Sequence, residues 1–496
     1  MQSRRDQLQA HVFLTGRMVS AMLRAEPDAQ HTPLRRFSVG TVTSLLVAVL
    51  LVVGFAVFGF IKPGGSQKFR EPGSLVLEKE TGTRYVFTDG KLRPVLNFAS
   101  AKLVLGEDMK VVAVSRRSLA GVPHGQPVGI GSAPDALPDP KHMVGTWWQV
   151  CAASTQDISG MPQPSAILNV RSGPSGRRLG EQEALLVQAP TSAVYLVWNG
   201  RRLLLPAGGT VDALGYGAAN PVRVSEAWLN ALPVGPDVRP SAIAGRGDSG
   251  PTLDGKATQV GQLFTVSTAA GEQSFVLRED GLSAVTKTEA ALVLADPSTK
   301  ISYPDRVVPL PLTAAGLAAA PRATTSSVQD GLPPTPPAAV AVTEGQVPCL
   351  DIDLGGTAGA QVQVRLDAPP PDAGTPAPTA VAPGAGGVAL ADRIRVAPGT
   401  GLLVRAQPGP GIAGGTLYLL VDTGVRYPLP GDDVARTLGY GDVPPVEVPS
   451  TLLSLVPAGQ PLDPAAAAST VPLEPQAGGS TQTGTTQTGT AQSGTT

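Results

Sequence analysis

From Phe37 to Ile61 the chain runs through 25 residues without a charge, FSVGTVTSLLVAVLLVVGFAVFGFI. As a helix rising 1.5 Å per residue the stretch spans roughly 37 Å. That is enough to cross a hydrocarbon core of about 30 Å. A cleaved signal peptide carries a shorter apolar core and a small-residue cleavage site. This stretch instead ends in Phe60-Ile61-Lys62-Pro63 and follows a charged segment of 36 residues. The pattern predicts a retained single transmembrane helix.

The two sides of that helix differ. Residues 1–36 hold six arginines against three acids, whereas 62–496 hold 32 basic and 36 acidic side chains, so the net charges are +3 and −4. Lys62, Lys68, Arg70 and Lys79 follow the span, so basic residues near it do not fix its orientation. With an overall charge of −1 there is no basic excess to neutralise phosphates, which excludes a nucleic-acid binder. Both cysteines, Cys151 and Cys349, lie beyond the span and 198 residues apart, with no Cys or His cluster beside them. They do not make a metal site. In an exported domain they would pair, closing a loop worth about 5 kcal/mol in the chain-entropy account; the alternative is two separate buried thiols. Pairing places residues 1–36 in the cytoplasm and the remainder outside.

Residues 4–24 read as a helix with Leu8, Val12, Thr15, Val19 and Met22 at alternating spacings of four and three, and with Arg4, Arg5, Arg17 and Arg24 at other angles. Such a helix lies on anionic lipid headgroups or docks on a cytoplasmic partner. For docking, the contact residues are Leu8, Val12, Val19 and Met22.

Beyond the membrane a pattern recurs: an aromatic, two apolar residues and a turn glycine. It occurs at Tyr85 with Asp89-Gly90, Tyr195 with Asn199-Gly200, Phe275 with Asp280-Gly281, and Tyr418 with Thr423-Gly424. Asn-Gly and Asp-Gly favour type I′ hairpin turns, where both central residues take positive φ. The second and fourth places match further. Arg202, Pro206, Leu214-Gly215-Tyr216-Gly217, Pro221-Val222 and Leu232-Pro233 stand in register with Arg426, Pro430, Leu438-Gly439-Tyr440-Gly441, Pro445-Val446 and Val456-Pro457. Each unit reads as a hairpin, a short helix, an extended segment and a second helix. The intervals of 110, 80 and 143 residues exclude a stacked solenoid.

Gly (58) and Pro (49) make up about a fifth of the chain against roughly 12% in average usage, which argues for short elements. Residues 321–340, 368–387 and the tail from Gly478 read as linkers without periodicity. The expected fold is α+β and β-rich: a transmembrane helix, then four hairpin-based repeats around a central β-rich domain. Its segments are 1–36 (cytoplasmic), 37–61 (span), 62–110 (repeat 1), 111–192 (central, first part) and 193–240 (repeat 2). There follow 241–300 (repeat 3), 301–414 (central, second part, with linkers), 415–465 (repeat 4) and 466–496 (disordered tail).

No catalytic constellation emerges. Gly247-Asp248-Ser249-Gly250-Pro251 resembles the nucleophile loop of chymotrypsin-like proteases, but only four histidines exist and none is placed to serve as its base. Gly245 to Thr252 has the frame of a phosphate loop, with Pro251 where the lysine belongs. Arg246-Gly247-Asp248 spells an adhesion tripeptide too short to be specific, and Asp432-Asp433 suits a helix's first turn.

The run SRRDQLQAHVFLTGRMVSAMLRAEPDA, then PLRR and the span, closely resembles the EccB family, single-span core components of the type VII (ESX) secretion system. The resemblance continues through LVLEKETGTRYVFTDGKLRPVLNFASAKLVLG, WWQVC and DTGVRYPLPGDDVARTLGYG, over nearly the whole chain. It implies a cytoplasmic N-terminus and an outer domain of four repeats resembling a phage-lysin cell-wall-binding fold, around a centre with a disulfide that Cys151 and Cys349 fit. It implies assembly with EccC, EccD and EccE, pairing of outer domains into a homo-oligomer, and docking of residues 4–24 on those neighbours in preference to lipid. ATP hydrolysis is ascribed to some members. This sequence has no nucleotide signature, so the expectation is a scaffold without cofactor, with motor chemistry in the EccC partner. An ATP-hydrolysing outer subunit and a cell-wall-binding module are the alternatives.

Overall fold

The structure, a computed structural model, describes residues 3–24, 33–61 and 67–471, apart from 157–158, 172, 208, 270, 357–358, 372, 374–387, 410–411 and 413. The tail from 472, much of the 368–387 linker and residues 25–32 between the first helix and the span lie outside the described residues. Two compact units emerge, Met1–Leu92 with Lys110–His124, and Arg93–Met109 with Gly125 onward.

The first unit carries helices α1 (Arg4–Arg24) and α2 (Pro33–Ile61). Helix α2 starts before the uncharged stretch, with Pro33 at its first position, where the missing N–H is no loss. Strands β1 (Ser74–Glu78), β2 (Arg84–Thr88), β3 (Lys91–Pro94) and β4 (Lys110–Val114) form a sheet of order β3-β2-β1-β4, closed beneath by α4 (Arg116–Leu119). Phe69, Val76, Tyr85, Leu92, Val114 and Leu119 make its core. Between β3 and β4 the chain forms α3 (Phe98–Leu105), which belongs to the second unit.

In the second unit, β5 (Trp147–Gln156), β6 (Pro162–Arg171) and β7 (Arg177–Arg178) lead into β8 (Glu183–Gln188), β9 (Val194–Trp198) and β10 (Arg201–Leu205). After α5 (Thr210–Ala213) come β11 (Val222–Arg223) and α6 (Glu226–Asn230). Next are β12 (Leu263–Thr268), β13 (Gly271–Arg278), β14 (Gly281–Val285), α7 (Lys287–Ala295), β15 (Leu310–Pro311), α8 (Ala314–Ala319) and β16 (Ala338–Ala339). Strands β17 (Val347–Asp353), β18 (Gln361–Asp367) and β19 (Arg393–Arg395) follow. The last set is β20 (Gly401–Gln407), β21 (Leu417–Val421), β22 (Arg426–Leu429), α9 (Asp432–Thr437), β23 (Val446–Pro449), α10 (Ser450–Leu453) and α11 (Pro464–Ala468).

Four sheets among the described residues share one plan: β3-β2-β1-β4, β10-β9-β8-β11, β14-β13-β12-β15 and β22-β21-β20-β23. The aromatic strand is therefore the second of each sheet. A preceding strand (β1, β8, β12 or β20) pairs antiparallel with it and parallel with the fourth. These sheets draw on residues outside the segments assigned from sequence: β8 lies before 193, β20 before 415, β15 after 300, and β4 runs past 110. The third strand of every sheet is covered in one way. The N–H groups of Leu92, Arg202, Leu282 and Arg426 donate to the carbonyls of Pro123, Pro233, Pro321 and Pro457. Each proline segment thus covers an edge strand that would otherwise be left open.

The chain also repeats on a larger scale. Helices α3 and α7 are capped by Asn97 and Thr286. In the first turn of each, the N–H of Ala99 or Thr288 donates to the carbonyl of Pro134 or Pro334. The chain then passes through a proline-rich stretch into a buried strand pair, β5-β6 or β17-β18. Those strands meet in one six-stranded sheet of order β19-β6-β5-β17-β18-β7. Its alternation is plain in β5 and β17: Trp148, Val150, Leu350 and Ile352 face the main core with Leu168, Trp228 and Leu453, while Gln149, Cys151, Cys349 and Asp351 face the other way.

The Leu-Gly-Tyr-Gly segments join these parts. Gly215 (φ 82°) and Gly439 (φ 93°) end α5 and α9 in the left-handed region. Tyr216 and Tyr440 are buried, and each hydroxyl donates at 2.8 Å to a proline carbonyl, of Pro337 and Pro138 respectively. Burial pushes the Tyr216 hydroxyl up to about 12 and raises that of Tyr440, so both stay neutral donors. Leu292 of α7 packs with Leu214 and Tyr216, while Ala99 and Leu103 of α3 pack with Val434, Leu438 and Tyr440.

Asp89-Gly90 (φ 52°, 72°) and Asn199-Gly200 (φ 46°, 69°) are turns with two positive φ values. Gly281 (φ 138°) and Gly424 (φ 76°) follow residues outside that region, so the third and fourth hairpins turn differently. A Cβ on Gly90 would meet nothing within 4 Å, whereas one on Gly200 would collide with the Val362 carbonyl of β18. Gly90→Ala is therefore expected to cost only the left-handed penalty, about 1–2 kcal/mol. Gly200→Ala is expected to cost about 1–3 kcal/mol more from forced packing, read as a lower urea midpoint of the full chain. At the third turn, Thr324 donates its N–H and hydroxyl to Asp280 at 2.7 Å each, which holds that carboxyl below the usual range. The stabilisation is present above the unfolded carboxylate value of about 3.9 and is lost as pH falls through the lower folded value. Asp280→Asn is expected to flatten the acid limb of stability against pH.

Candidate functional site

Ser38–Val57 is the one helical stretch among the described residues long and apolar enough to cross a membrane, with mean hydropathy 2.4 and no part of it buried. In α1, Leu8, Val12 and Met22 are exposed and Val19 is half-buried. Phe13, Leu14 and Met18 are exposed as well, so the apolar surface is wider than the one stripe read from spacing.

At the centre of the six-stranded sheet Cys151 and Cys349 stand directly opposite each other on β5 and β17 and form a disulfide, with Cα atoms 4.0 Å apart. Both are buried. Two residues along, Gln149 pairs with Asp351. Asp351 is 1% exposed, and its carboxylate is met from several sides. Gln149 Nε2 donates to Oδ1 at 2.9 Å, the Ser175 N–H donates to Oδ2 at 3.1 Å, and Arg365 Nε forms an ion pair at 3.0 Å. Asn169 donates to Gln149 Oε1 at 3.4 Å, and the Ser175 hydroxyl donates to Asp367. A buried carboxylate needs this degree of pairing; removal of one partner leaves an uncompensated charge.

A groove of about 700 Å³ opens on this network between residues 369–371 and 394–398. Its polar floor is largely occupied: Gln149 Nε2 alone serves Ser175, Asp351 and Asp367. The arrangement fixes the sheet and presents no nucleophile with its base. Among the described residues no group of His, Cys, Asp and Glu is placed to hold a metal.

The glycine-rich segment is a turn. The N–H groups of Gly247, Asp248 and Gly250 donate to the carbonyls of Val260, Gly245 and Thr258, and Pro251 has no N–H. Three of the amides that a phosphate loop would turn on its ligand are thus spent within the fold. Arg246 pairs with Asp296 at 3.2 Å and donates to Thr299, so the Arg-Gly-Asp tripeptide is tied into the fold.

The two cysteines that sequence reasoning paired are joined here, and a long apolar helix stands where it placed the span. Sequence reasoning missed the Asp351 network, whose one signal was charge inside the buried strand Val-Pro-Cys-Leu-Asp-Ile-Asp. It also missed the proline edge covers of the first and third sheets, signalled by Val122-Pro123 and Ala320-Pro321 aligned with Leu232-Pro233 and Val456-Pro457.

One apolar helix, four sheets of one plan and a disulfide-linked central sheet define a membrane-anchored repeat protein. The profile of the family described as "Type VII secretion system ESX-1, transport TM domain B" matches residues 1–472, and the chain belongs to this EccB family. It is 29% identical over 303 residues to "ESX-1 secretion system ATPase EccB1" of Mycobacterium tuberculosis, covering 60% of this chain and 62% of that relative's length. It is 27% identical over 476 residues to "ESX-3 secretion system ATPase EccB3" of Mycolicibacterium smegmatis, covering 92% and 88%. A chain of the intact ESX-5 inner membrane complex shares its fold, with TM-score 0.62, 21% identity, and 96% and 97% of the two chains covered. The EccB3 dimer from the ESX-3 core complex gives TM-score 0.60, 24% identity, and 80% and 99% covered.

The disulfide generates a prediction. Cys151→Ser with Cys349→Ser is expected to lower stability by about 2–5 kcal/mol, read as a lower urea midpoint without reductant. Reductant is expected to move the native chain to the same midpoint once it is unfolded.

Proposed function

We propose that this chain is a structural core subunit of a type VII secretion membrane complex, crossing the membrane once with α1 in the cytoplasm and the sheet-bearing part outside. The disulfide carries the orientation, because such a bond forms and persists in oxidising compartments and not in the cytosol. Family membership carries the secretion role, and the solved relatives come from ESX inner membrane complexes and include a dimer. We place α1 against the neighbouring subunits, of EccC, EccD and EccE type, through Leu8, Val12, Val19 and Met22, and we expect the outer part to pair with a second copy.

ATP hydrolysis is named for the relatives. In this chain the glycine-rich frame that resembles a phosphate loop has the amides of Gly247, Asp248 and Gly250 engaged and Pro251 at the lysine position, which supports placing the motor chemistry in a partner. A cell-wall-binding role rests on the resembled repeat fold alone, and we rank it below the scaffold.

Removal of residues 3–24 is expected to release the chain from the complex, shown by loss of co-purifying subunits, while Cys151–Cys349 still forms. Undiminished assembly would refute the docking helix. Full-length chain in detergent is expected to release no phosphate from Mg-ATP; turnover that survives contaminant controls would establish the hydrolytic reading instead.

A further inference from the structure

The fourth strands of the four sheets, β4, β11, β15 and β23, lie parallel to the first and form the edge away from the hairpin. Three of these edges are blunted. Strand β11 has two residues and follows Pro221, β15 has two, follows Pro309 and ends in Pro311, and β23 follows Pro444-Pro445 and ends in Pro449. Proline has no N–H to offer an added strand, and short strands offer little template.

Strand β4 differs. It pairs with β1 over five residues, and no proline occurs from 95 to 122. Lys110 N–H donates to Gly73, and the Val114 carbonyl accepts from Lys79, so residues 110, 112 and 114 bond towards β1. By alternation, the N–H and C=O of Val111 and Ala113 point away from the sheet. Val112 and Val114 pack into the core. Lys110 and Ala113 are exposed, and Val111 is 56% exposed, which is unusual for a valine in a paired strand.

We propose that the open edge of β4 pairs antiparallel with the same edge of a second copy of this chain, about a two-fold axis at Val112. The inference rests on the homo-oligomer reading above and adds the surface. Val111 and Ala113 of each copy exchange both backbone bonds, giving a continuous eight-stranded sheet. Val111 is then covered by Ala113 of the second copy. The Lys110 side chains fall opposite Val114 at the two ends, so no like charges face each other. The segment Lys-Val-Val-Ala-Val is self-complementary in this register, as a closed two-fold contact requires. Two copies anchored in one membrane by α2 meet at raised effective concentration, so a small edge contact suffices. A solved relative is itself a dimer.

The test uses the full chain in detergent, with self-association followed by analytical ultracentrifugation. Ala113→Pro removes an N–H that β1 does not use, and by symmetry two bonds per dimer; Val111→Lys leaves the backbone intact and charges the edge. Each is expected to weaken dimerisation by about tenfold to hundredfold. Val111→Cys with Ala113→Cys is expected to give a covalent dimer on oxidation. A dimer unchanged by Val111→Lys and not cross-linked by the cysteine pair would overturn the β4 surface and leave the homo-oligomer reading standing. A native chain that stays monomeric would overturn both. A variant that stays dimeric but loses a co-purifying subunit would assign the edge to that subunit and overturn pairing between copies.

Discussion

The second unit depends on one strand pairing. β5 and β17 come from distant parts of the chain and lie side by side, with Cys349 opposite Cys151, Leu350 opposite Val150 and Ile352 opposite Trp148. A slip of β5 by one residue would turn Trp148 and Val150 out of the core and bring Gln149 and Cys151 into it. The disulfide forbids that slip, and on the same face the bond from Gln149 to Asp351 supports the same register. β6 and β18 add on either side, so the register of the central sheet follows from the covalent link at its centre.

Around that sheet the repeats interlock. α7 of the third sheet packs with the Leu-Gly-Tyr-Gly segment of the second, and α3 packs with that of the fourth. The matched tyrosines explain why the motif recurs. A buried hydroxyl needs a partner, and each finds a carbonyl in a proline-rich stretch whose lack of N–H groups leaves carbonyls to spare. The segment that read as a loose linker, around Pro337, and the stretch around Pro138 supply these acceptors. Low periodicity marks them as lacking helix or strand; it says nothing about whether other elements pack on them.

Much of the fold was legible where local chemistry decides. Gly90 and Gly200 announce turns because few other residues take their φ, and the uncharged run announces a membrane helix because nothing else places so many apolar residues in line. The first strand of each sheet was not legible from the repeat, since β8 and β20 carry apolar runs without a shared aromatic or turn residue. The fourth strands are two to five residues long and are defined only by their partner. The Asp351 network depends on long-range pairing, with Gln149 and Asp351 separated by 202 residues, and single-residue patterns do not encode such distances. In α1 the spacing located the helix, while the exposure of Phe13, Leu14 and Met18 widened the surface available to a neighbour.

The hydrogen bond from Tyr440 to Pro138 joins residues 302 apart. Ribosomes add roughly 5–20 residues per second. The Pro138 stretch therefore exists for some 15–60 s before its donor has been made, and α3 waits similarly for its cover. During that interval the first half of the chain displays apolar surface that only the last sheet conceals. The order of synthesis thus makes early arrivals depend on late ones, and a chain truncated before the fourth sheet loses more than its missing residues.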